Sequence, residues 1–442
     1  MSLYPHPRMA SALVVAFLLF CGGARADLIG HGGMVRDIAI SPDGAQVLTA
    51  SFDYSIRLWD FATQQNLKLL DAHTGPVNTA VFLPDGKSAL SAGKDGAILR
   101  WDLKTAKVIA SFTGHGMHVM ALALRPGGKT FASASWDGTV RLWSLQDGSQ
   151  RALLKMSSDV NTLAFGLNGD VLFTGHKDGR VRLWVAETGE FIGDFVGHAM
   201  AITRLVVSYD GSRLLSAGID GSVRLWFPPD RNTMLTLKGH DGPVYSTAFT
   251  PDGFRALSGG HDGIVNLWDL SSGRLLRRIE AHEGPVWAVA FSPDGRFAIS
   301  SGSDEAVRIW HLETGDRIGP TESEMAMVEE KPWLSSNHPG ARLFRKCAIC
   351  HSLTPNGKHR SGPHLEGLFG RLSGSLGDYN YSEAMRTLGV TWTRKTVRQL
   401  FFIGPDKFVP GTKMPIQKVS DPEDLNMLID YLMEVTNGDK GS

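Results

Sequence analysis

Ser258-Gly-Gly-His-Asp-Gly-Ile-Val-Asn-Leu-Trp268 decides the larger part of the fold, because its spacing of hydroxyl, carboxylate and indole returns along the chain. Trp59, Trp101, Trp143, Trp184, Trp226, Trp268 and Trp310 follow one another at intervals of 42, 42, 41, 42, 42 and 42 residues. An Asp stands six residues before each: Asp53, Asp95, Asp137, Asp178, Asp220, Asp262 and Asp304. A hydroxyl stands four residues before each Asp: Thr49, Ser91, Ser133, Thr174, Ser216, Ser258 and Ser300. Six of the seven units open on a histidine, namely His31, His73, His115, His198, His240 and His282. Short apolar alternations lie between these marks, joined by turns such as Ser41-Pro-Asp-Gly44 and Ser292-Pro-Asp-Gly295, and they read as strands and their connections. A fixed period of this length predicts a repeat architecture. The fourth unit departs from it: Lys155-Met-Ser-Ser158 stands where the others carry Gly-His or its like, so this unit is expected to lack the imidazole and to be the loosest or locally remodelled.

The pattern closely resembles the WD-repeat β-propellers over residues 31–310, all seven units. The resemblance implies an all-β, seven-bladed propeller over 27–318. It implies further that His, Ser/Thr, Asp and Trp of one unit form a buried tetrad that staples the strands of a blade. An unpaired buried polar group costs roughly 1–3 kcal/mol, so every member needs a partner. The seven Asp and six His are therefore read as structural, not as catalytic or metal-binding residues. Two segments compete for the outer strand of the last blade, Arg317-Ile318-Gly319 and Asp27-Leu-Ile-Gly30. Propellers of this family commonly bind partners on one rim, lined by the positions just before each blade Asp and just after the first core Val or Ile of each unit. Here those are Phe52, Lys94, Trp136, Lys177, Ile219, His261 and Ser303, with Arg36, Asn78, Met120, Asn161, Thr203, Tyr245 and Trp287. Phe52, Trp136, Tyr245 and Trp287 predict a protein-docking patch; the alternative is packing inside the axial funnel.

Downstream stands Cys347-Ala-Ile-Cys-His351, the C-x-x-C-H attachment signature of a c-type haem. Two residues three apart on a helix share one side. Both thiols can then bond the vinyl groups of one porphyrin, and His351 can bring a ring nitrogen to the iron. A thioether as sixth ligand raises the potential of such a centre, and Val409-Pro-Gly-Thr-Lys-Met414 offers Met414 in a turn. A structural zinc site would need four ligands, but Cys21 is the only other cysteine. A thioredoxin-like pair would need a βαβ context, which the flanking sequence lacks.

Residues 339–442 resemble the class I cytochromes c, particularly the small soluble bacterial and mitochondrial type. Gly340-Ala-Arg-Leu-Phe344 matches the family's Gly-x-x-x-Phe helix. Asp424 to Val435 reads as a C-terminal helix, with Leu425, Leu428, Ile429 and Leu432 at helical spacing. Ser361-Gly-Pro-His-Leu-Glu-Gly-Leu-Phe-Gly-Arg371 matches the intervening loop. The resemblance implies an all-α domain in which the two helices cross and Gly340 lets Phe344 meet Tyr431. It implies one covalent haem c, held by Cys347 and Cys350, with His351 and Met414 as iron ligands. The carbonyl of Pro363 would orient His351. Arg371, Tyr379, Tyr381, Trp392 and Thr412 would surround the propionates, whose burial requires donors. One departure stands out: the mitochondrial type usually carries Tyr thirteen residues before the Met ligand, and here that position is Phe401.

Arg8, the apolar run Ala10 to Cys21 and Ala24-Arg25-Ala26 read as an export leader over 1–26, cleaved before Asp27. The run is too short for a comfortable membrane span; the alternative is an uncleaved anchor, the one route to a membrane. Phe20 just before Cys21 argues against lipid attachment. Residues 319–338, with Glu322, Glu324, Glu329, Glu330, Pro320 and Pro332, read as an exposed linker, although Met325, Met327 and Trp333 could pack. A formal net charge of zero gives no global field toward nucleic acid or anionic membrane. Segment 332–442 carries 14 Lys+Arg against 10 Asp+Glu, with Lys346 and Lys413 beside the haem motifs. That balance suits an acidic redox partner, or it is an ordinary solvated surface. Together these features predict a periplasmic electron carrier rather than a catalyst, with the propeller as docking scaffold for redox protein partners. Three alternatives stay open: a propeller oxidoreductase feeding the haem, a haem peroxidase or ligand sensor with a labile Met414, and a pure scaffold.

Overall fold

Each unit of the repeat folds into one antiparallel sheet of four strands, because its apolar alternations are separated by Gly-containing turns that reverse the chain. Blade 1 comprises Val35–Ile40, Gln46–Ser51, Ile56–Asp60 and Asn66–Leu70, and in every blade the strand order follows the chain. The computed structural model describes residues 27–318, 336–348, 351–353, 362–377, 379, 381–412, 414 and 418–436. The seven blades form a closed ring, in which the first strands of successive blades pack on one another and so lie innermost. Second strands such as Ser88–Gly93 are wholly buried, whereas outer strands such as Lys107–Phe112 are mostly exposed. The core is a ring of apolar layers, each drawn from two adjacent blades; one joins Leu48, Ile56 and Leu70 to Val77, Phe82 and Trp101.

The tetrads form as expected in six blades. In blade 1, Trp59 Nε1–H donates to Thr49 Oγ1 at 2.8 Å, Thr49 meets His31 Nε2 at 2.7 Å, and His31 Nδ1 meets Asp53 at 2.8 Å. Blade 6 repeats this with Trp268, Ser258, His240 and Asp262 at 2.8, 2.7 and 3.0 Å. Burial pushes His115, His198, His240 and His282 down from the usual imidazole range, while their Asp partners pull them partway back. Burial alone would raise Asp95, but hydrogen bonds from His73 and the Thr74 amide hold it below the usual carboxylate range.

Blade 4 departs from this arrangement, and the departure corrects the expectation that it lacks an imidazole. His176, two residues before Asp178, turns its Nε2 onto Thr174 Oγ1 at 2.7 Å, and Trp184 completes the relay at 2.8 Å. The reason is volume. At the equivalent position of the other blades stand Ser51, Gly93, Ser135, Gly218, Gly260 and Gly302. A Cβ at Gly218 would lie 2.5 Å from His198 Nδ1, so a loop histidine requires a small residue there. Without the loop histidine, the same space accepts a side chain from the strand itself. His176 has no carboxylate on Nδ1, only the carbonyl of Ser158 at 3.4 Å. Burial and the cation of Arg182 push it down to about 4. Asp178 instead pairs with Arg182, at 2.5 and 3.3 Å.

Both competing segments close the ring. Leu28 N–H donates to Val307 O at 3.0 Å, while Arg317–Ile318 pairs with Trp310 and Ile309 farther along the same strand, Val307–His311. Asp27 binds Arg317 Nε at 2.9 Å and lies 3.5 Å from Arg308 Nε. Blade 7 is also tied directly to blade 1, through Ser301 Oγ donating to Val35 O at 3.0 Å.

The C-terminal segment contributes five described helices: α1 (Pro339–Ala348), α2 (Glu383–Thr387), α3 (Arg394–Ile403), α4 (Pro405–Phe408) and α5 (Pro422–Thr436). α1 and α5 pack closely at Gly340, as expected: a Cβ there would overlap the carbonyl of Met427 and lie 2.7 Å from Tyr431 Cβ. Phe344 and Tyr431 meet with ring centroids 5.7 Å apart. A capping box of Thr393 and Thr396 starts α3. Among the described residues no helix is long and apolar enough to cross a membrane, and the leader lies outside them.

Two outcomes follow. Gly218→His will lower the urea midpoint by overpacking blade 5, and adding His198→Ala in the same chain will restore part of the loss; no recovery would refute the shared-volume account. The second concerns acid. His176 is neutral in the fold and its folded value lies below the ordinary 6.5. Its contribution is therefore whole above about pH 6.5 and is lost as pH falls toward about 4, on the order of 3 kcal/mol in all. Urea unfolding of His176→Gln across this range will be less pH-dependent than that of the parent chain.

Candidate functional site

The end of α1 and the chain after it bring the motif residues into one place. Cys347, 6% exposed, lies in the last turn of α1, and His351 N–H donates to the Cys347 carbonyl at 2.9 Å, which ties His351 to the end of the helix. Cys350 lies outside the described residues. His351 Nδ1 meets the carbonyl oxygen of Pro363 at 2.8 Å. A carbonyl can only accept, so this bond places the proton on Nδ1 and puts Nε2 on the opposite edge of the ring.

The loop bearing Pro363 is laced from both sides. Leu365 N–H donates to Ser352 O at 2.8 Å. Arg371 gives its two terminal nitrogens to the carbonyls of Glu366 and His364, at 3.0 and 2.9 Å. Burial pushes this guanidinium below its usual value. Gly370 and Arg371 exchange backbone bonds with Trp392, at 2.8 and 2.9 Å, which ties the loop to the start of α3. Trp392 is buried at 6% exposure and lies near Phe408, while Tyr379 and Tyr381 pack edge to face at 4.7 Å. Arg386, not anticipated from the sequence, donates through Nε and Nη2 to the Tyr381 carbonyl at 3.0 and 2.7 Å.

On the other side, Val409 to Thr412 form a turn closed by Thr412 N–H donating to Val409 O at 3.0 Å, with Gly411 at φ +85°. Pro410 followed by a positive-φ glycine is the requirement of a type II turn. Thr412 Oγ1 accepts the amide of Met414 at 3.1 Å, so its observed contact is with the Met414 backbone. Met414 packs against the apolar cluster that contains Cys347, Leu353, Trp392, Leu400 and Phe401. Phe401 is buried at 5% exposure, on α3 facing this cluster.

On the propeller several rim positions contact one another in small groups. Tyr245 stacks on Trp287 at 4.3 Å, and Arg36 lies over the same indole at 5.0 Å. Trp287 Nε1–H donates to Ser303 at 2.8 Å, and the Tyr245 hydroxyl meets His261 at 3.3 Å. Lys94 lies over Phe52 at 4.4 Å, and Trp136 Nε1–H donates to Asn161 at 2.9 Å. Asn78 and Thr203 instead bond the next blade's backbone, at Val119 O and Val244 O. The sequence reading missed His118 beside Trp136, and missed Arg204, whose Nη1 reaches Asp37 of blade 1 at 3.2 Å. The signal was available: Asp37 and Arg204 are the only charged residues in the sevenfold set with Thr79, Ala121, Thr162, Ser246 and Ala288. Among the described residues no cluster of three or more His, Cys, Asp and Glu side chains is placed to hold a metal ion.

Comparison with known proteins agrees with both halves of the molecule. The model of the WD domain, G-beta repeat, matches residues 23–60, 64–102, 106–144, 149–185, 189–226, 231–269 and 273–311. A cytochrome c of Cannabis sativa is 42% identical over 98 residues, 22% of this chain and 87% of that protein. Cytochrome c2 of Blastochloris viridis is 39% identical over 95 residues, 22% of this chain and 74% of its own length. Cytochrome c2 of Agrobacterium tumefaciens is 40% identical over 97 residues, 21% of this chain and 86% of that protein. The chain belongs to the WD-repeat family through its seven repeats, and its C-terminal segment belongs to the cytochromes c.

Proposed function

We propose that this chain is an exported one-electron carrier: a leader over 1–26, a propeller over 27–318 that docks a partner, a linker over 319–338, and an all-α class I cytochrome c domain over 339–442. The observation that carries the proposal is the His351–Pro363 bond inside a segment about 40% identical to cytochromes c. A proton held on Nδ1 leaves the Nε2 lone pair for iron and fixes the ring's orientation. The donor set fits haem c. A buried thiol, an imidazole with a carbonyl behind it and a thioether against the same apolar cluster are the groups such a site needs. Covalently bound, haem c supplies a one-electron Fe(III)/Fe(II) couple.

In this reading Cys347 and Cys350 hold the porphyrin, and His351 and Met414 hold the iron. Thr412 keeps the Met414 backbone in place. Trp392, Tyr379, Tyr381 and Arg371 serve the propionates, and Arg371 also locks the loop behind His351. Export to the periplasm is supported by the leader pattern over residues 1–26. The propeller would hold a partner near the tethered haem and raise its effective concentration. Phe52, Trp136, Tyr245 and Trp287 mark the docking rim.

Optical titration of the purified chain tests this. The parent will carry one covalent low-spin haem that ignores carbon monoxide, and Met414→Ala will keep the haem but bind the gas. A parent that binds carbon monoxide would replace the carrier reading with an open-site peroxidase or sensor. Phe401→Tyr will raise the midpoint potential, because a hydroxyl donating to the Met414 sulfur favours the reduced state. An unchanged midpoint would mean that this position does not reach the sulfur.

A further inference from the structure

The rim is not chemically uniform, and its asymmetry names the partner. On blades 6, 7, 1 and 2 the side chains form two cation–aromatic units: Tyr245–Trp287–Arg36, at 4.3 and 5.0 Å, and Phe52–Lys94, at 4.4 Å. Arg36 faces the like charges of both Arg204 and Lys94. Burial depresses Arg36; Asp37 pulls it partway back, and Arg204 depresses it by less than Asp37 raises it, while burial and then Arg36 depress Lys94. Beneath them, Arg204 of blade 5 reaches Asp37 of blade 1, so this ion pair joins two innermost strands that are not neighbours in the ring. Asp37 is 2% exposed and is held by Thr79 at 2.7 Å as well as by Arg204. The blade carboxylates next in sequence to Phe52 and Lys94, Asp53 and Asp95, are occupied by His31 and His73. Arg36 and Arg204 thus share the Asp37 carboxylate, and Lys94 adds a third positive charge beside Arg36.

Resting on the docking reading above, we propose that this sector of the rim recognises an acidic polypeptide segment, one that places a Glu or Asp side chain between Arg36 and Lys94 and an apolar or aromatic side chain against Trp287 and Phe52. An arriving anion offsets the remaining cost of these partly desolvated cations, and the aromatic faces supply the apolar contact that a small inorganic anion would not use. Arginine with tryptophan and tyrosine is the composition of protein-interface hot spots. The span from Tyr245 through Phe52 to Lys94 crosses four blades, which suits a peptide strand.

The test uses the full haem-loaded chain and defined probes in fluorescence anisotropy: labelled poly(Glu,Tyr), poly-Lys and inorganic polyphosphate. Poly(Glu,Tyr) is expected to bind, more weakly as salt rises, while poly-Lys does not bind and polyphosphate binds at least tenfold more weakly. The Arg36→Gln/Lys94→Gln double variant, checked for an unaltered unfolding midpoint, is expected to lose at least tenfold affinity; Lys155→Gln, on an exposed outer strand, is expected to lose none. Equal binding of polyphosphate, or no effect of the double variant, overturns the proposal. If a probe's affinity falls with Tyr245→Ala or Trp136→Ala but not with the charge variants, the rim docks a partner of another chemistry. If no probe responds to any rim variant, the docking reading fails as well. None of these outcomes depends on the redox activity of the haem.

Discussion

A buried polar chain is stable only when every member has a partner, and this propeller repeats such a chain seven times. Indole N–H, hydroxyl and imidazole lie in line, with the Asp completing the relay in six blades. Each link is a short bond away from solvent, where it strengthens its neighbours and where an unpaired member would be costly. The relay spans the opening loop, the second strand, the turn after it and the third strand, so it sets how the strands of a blade register. It also uses up the histidines and carboxylates that could otherwise do chemistry. What remains for recognition is the set of positions beside the relay, which vary from blade to blade.

Blade 4 indicates that the constraint acts on the space and the bonds, not on the sequence position. A ring is needed between the hydroxyl and the turn, and it comes from the loop or from the strand, never both, because one volume cannot hold two imidazoles. The change alters electrostatics too. His176 faces a carbonyl and an arginine instead of a carboxylate, and its proton affinity falls accordingly. The same logic governs the ring's seam. The third strand of the last blade, Val307–His311, needs hydrogen-bond partners along its outer edge, and two segments distant in sequence share it, joined by Asp27 and Arg317.

The C-terminal segment follows a different rule. Its helices converge on an apolar cluster that includes Cys347 and Met414 rather than on a polar relay. The polar work is done by backbone carbonyls. Pro363 fixes His351, and Arg371 holds the two carbonyls that flank the loop, so side-chain orientation depends on backbone that is itself tied to Trp392. A single-residue departure such as Phe401 places an apolar ring in this cluster where the mitochondrial type usually carries a hydroxyl.

Local spacing was enough to read the architecture. A period near 42 residues, with Ser/Thr, Asp and Trp in register, defines seven blades. The C-x-x-C-H motif, the Gly340–Phe344 helix and the Pro-Gly-Thr-Lys-Met turn define the second unit, because these residues act within a few positions of one another. The sequence could not decide matters that depend on which distant residues share a volume or an edge. His176 was legible as a residue but not as a substitute ring, since its partner Thr174 becomes available only when the loop leaves the space empty. Arg204 and Asp37 are 167 positions apart and meet only because the ring brings their blades together around its axis. The seam was undecided for the same reason: either segment could pair with Val307–His311, and only the closed ring leaves room for both.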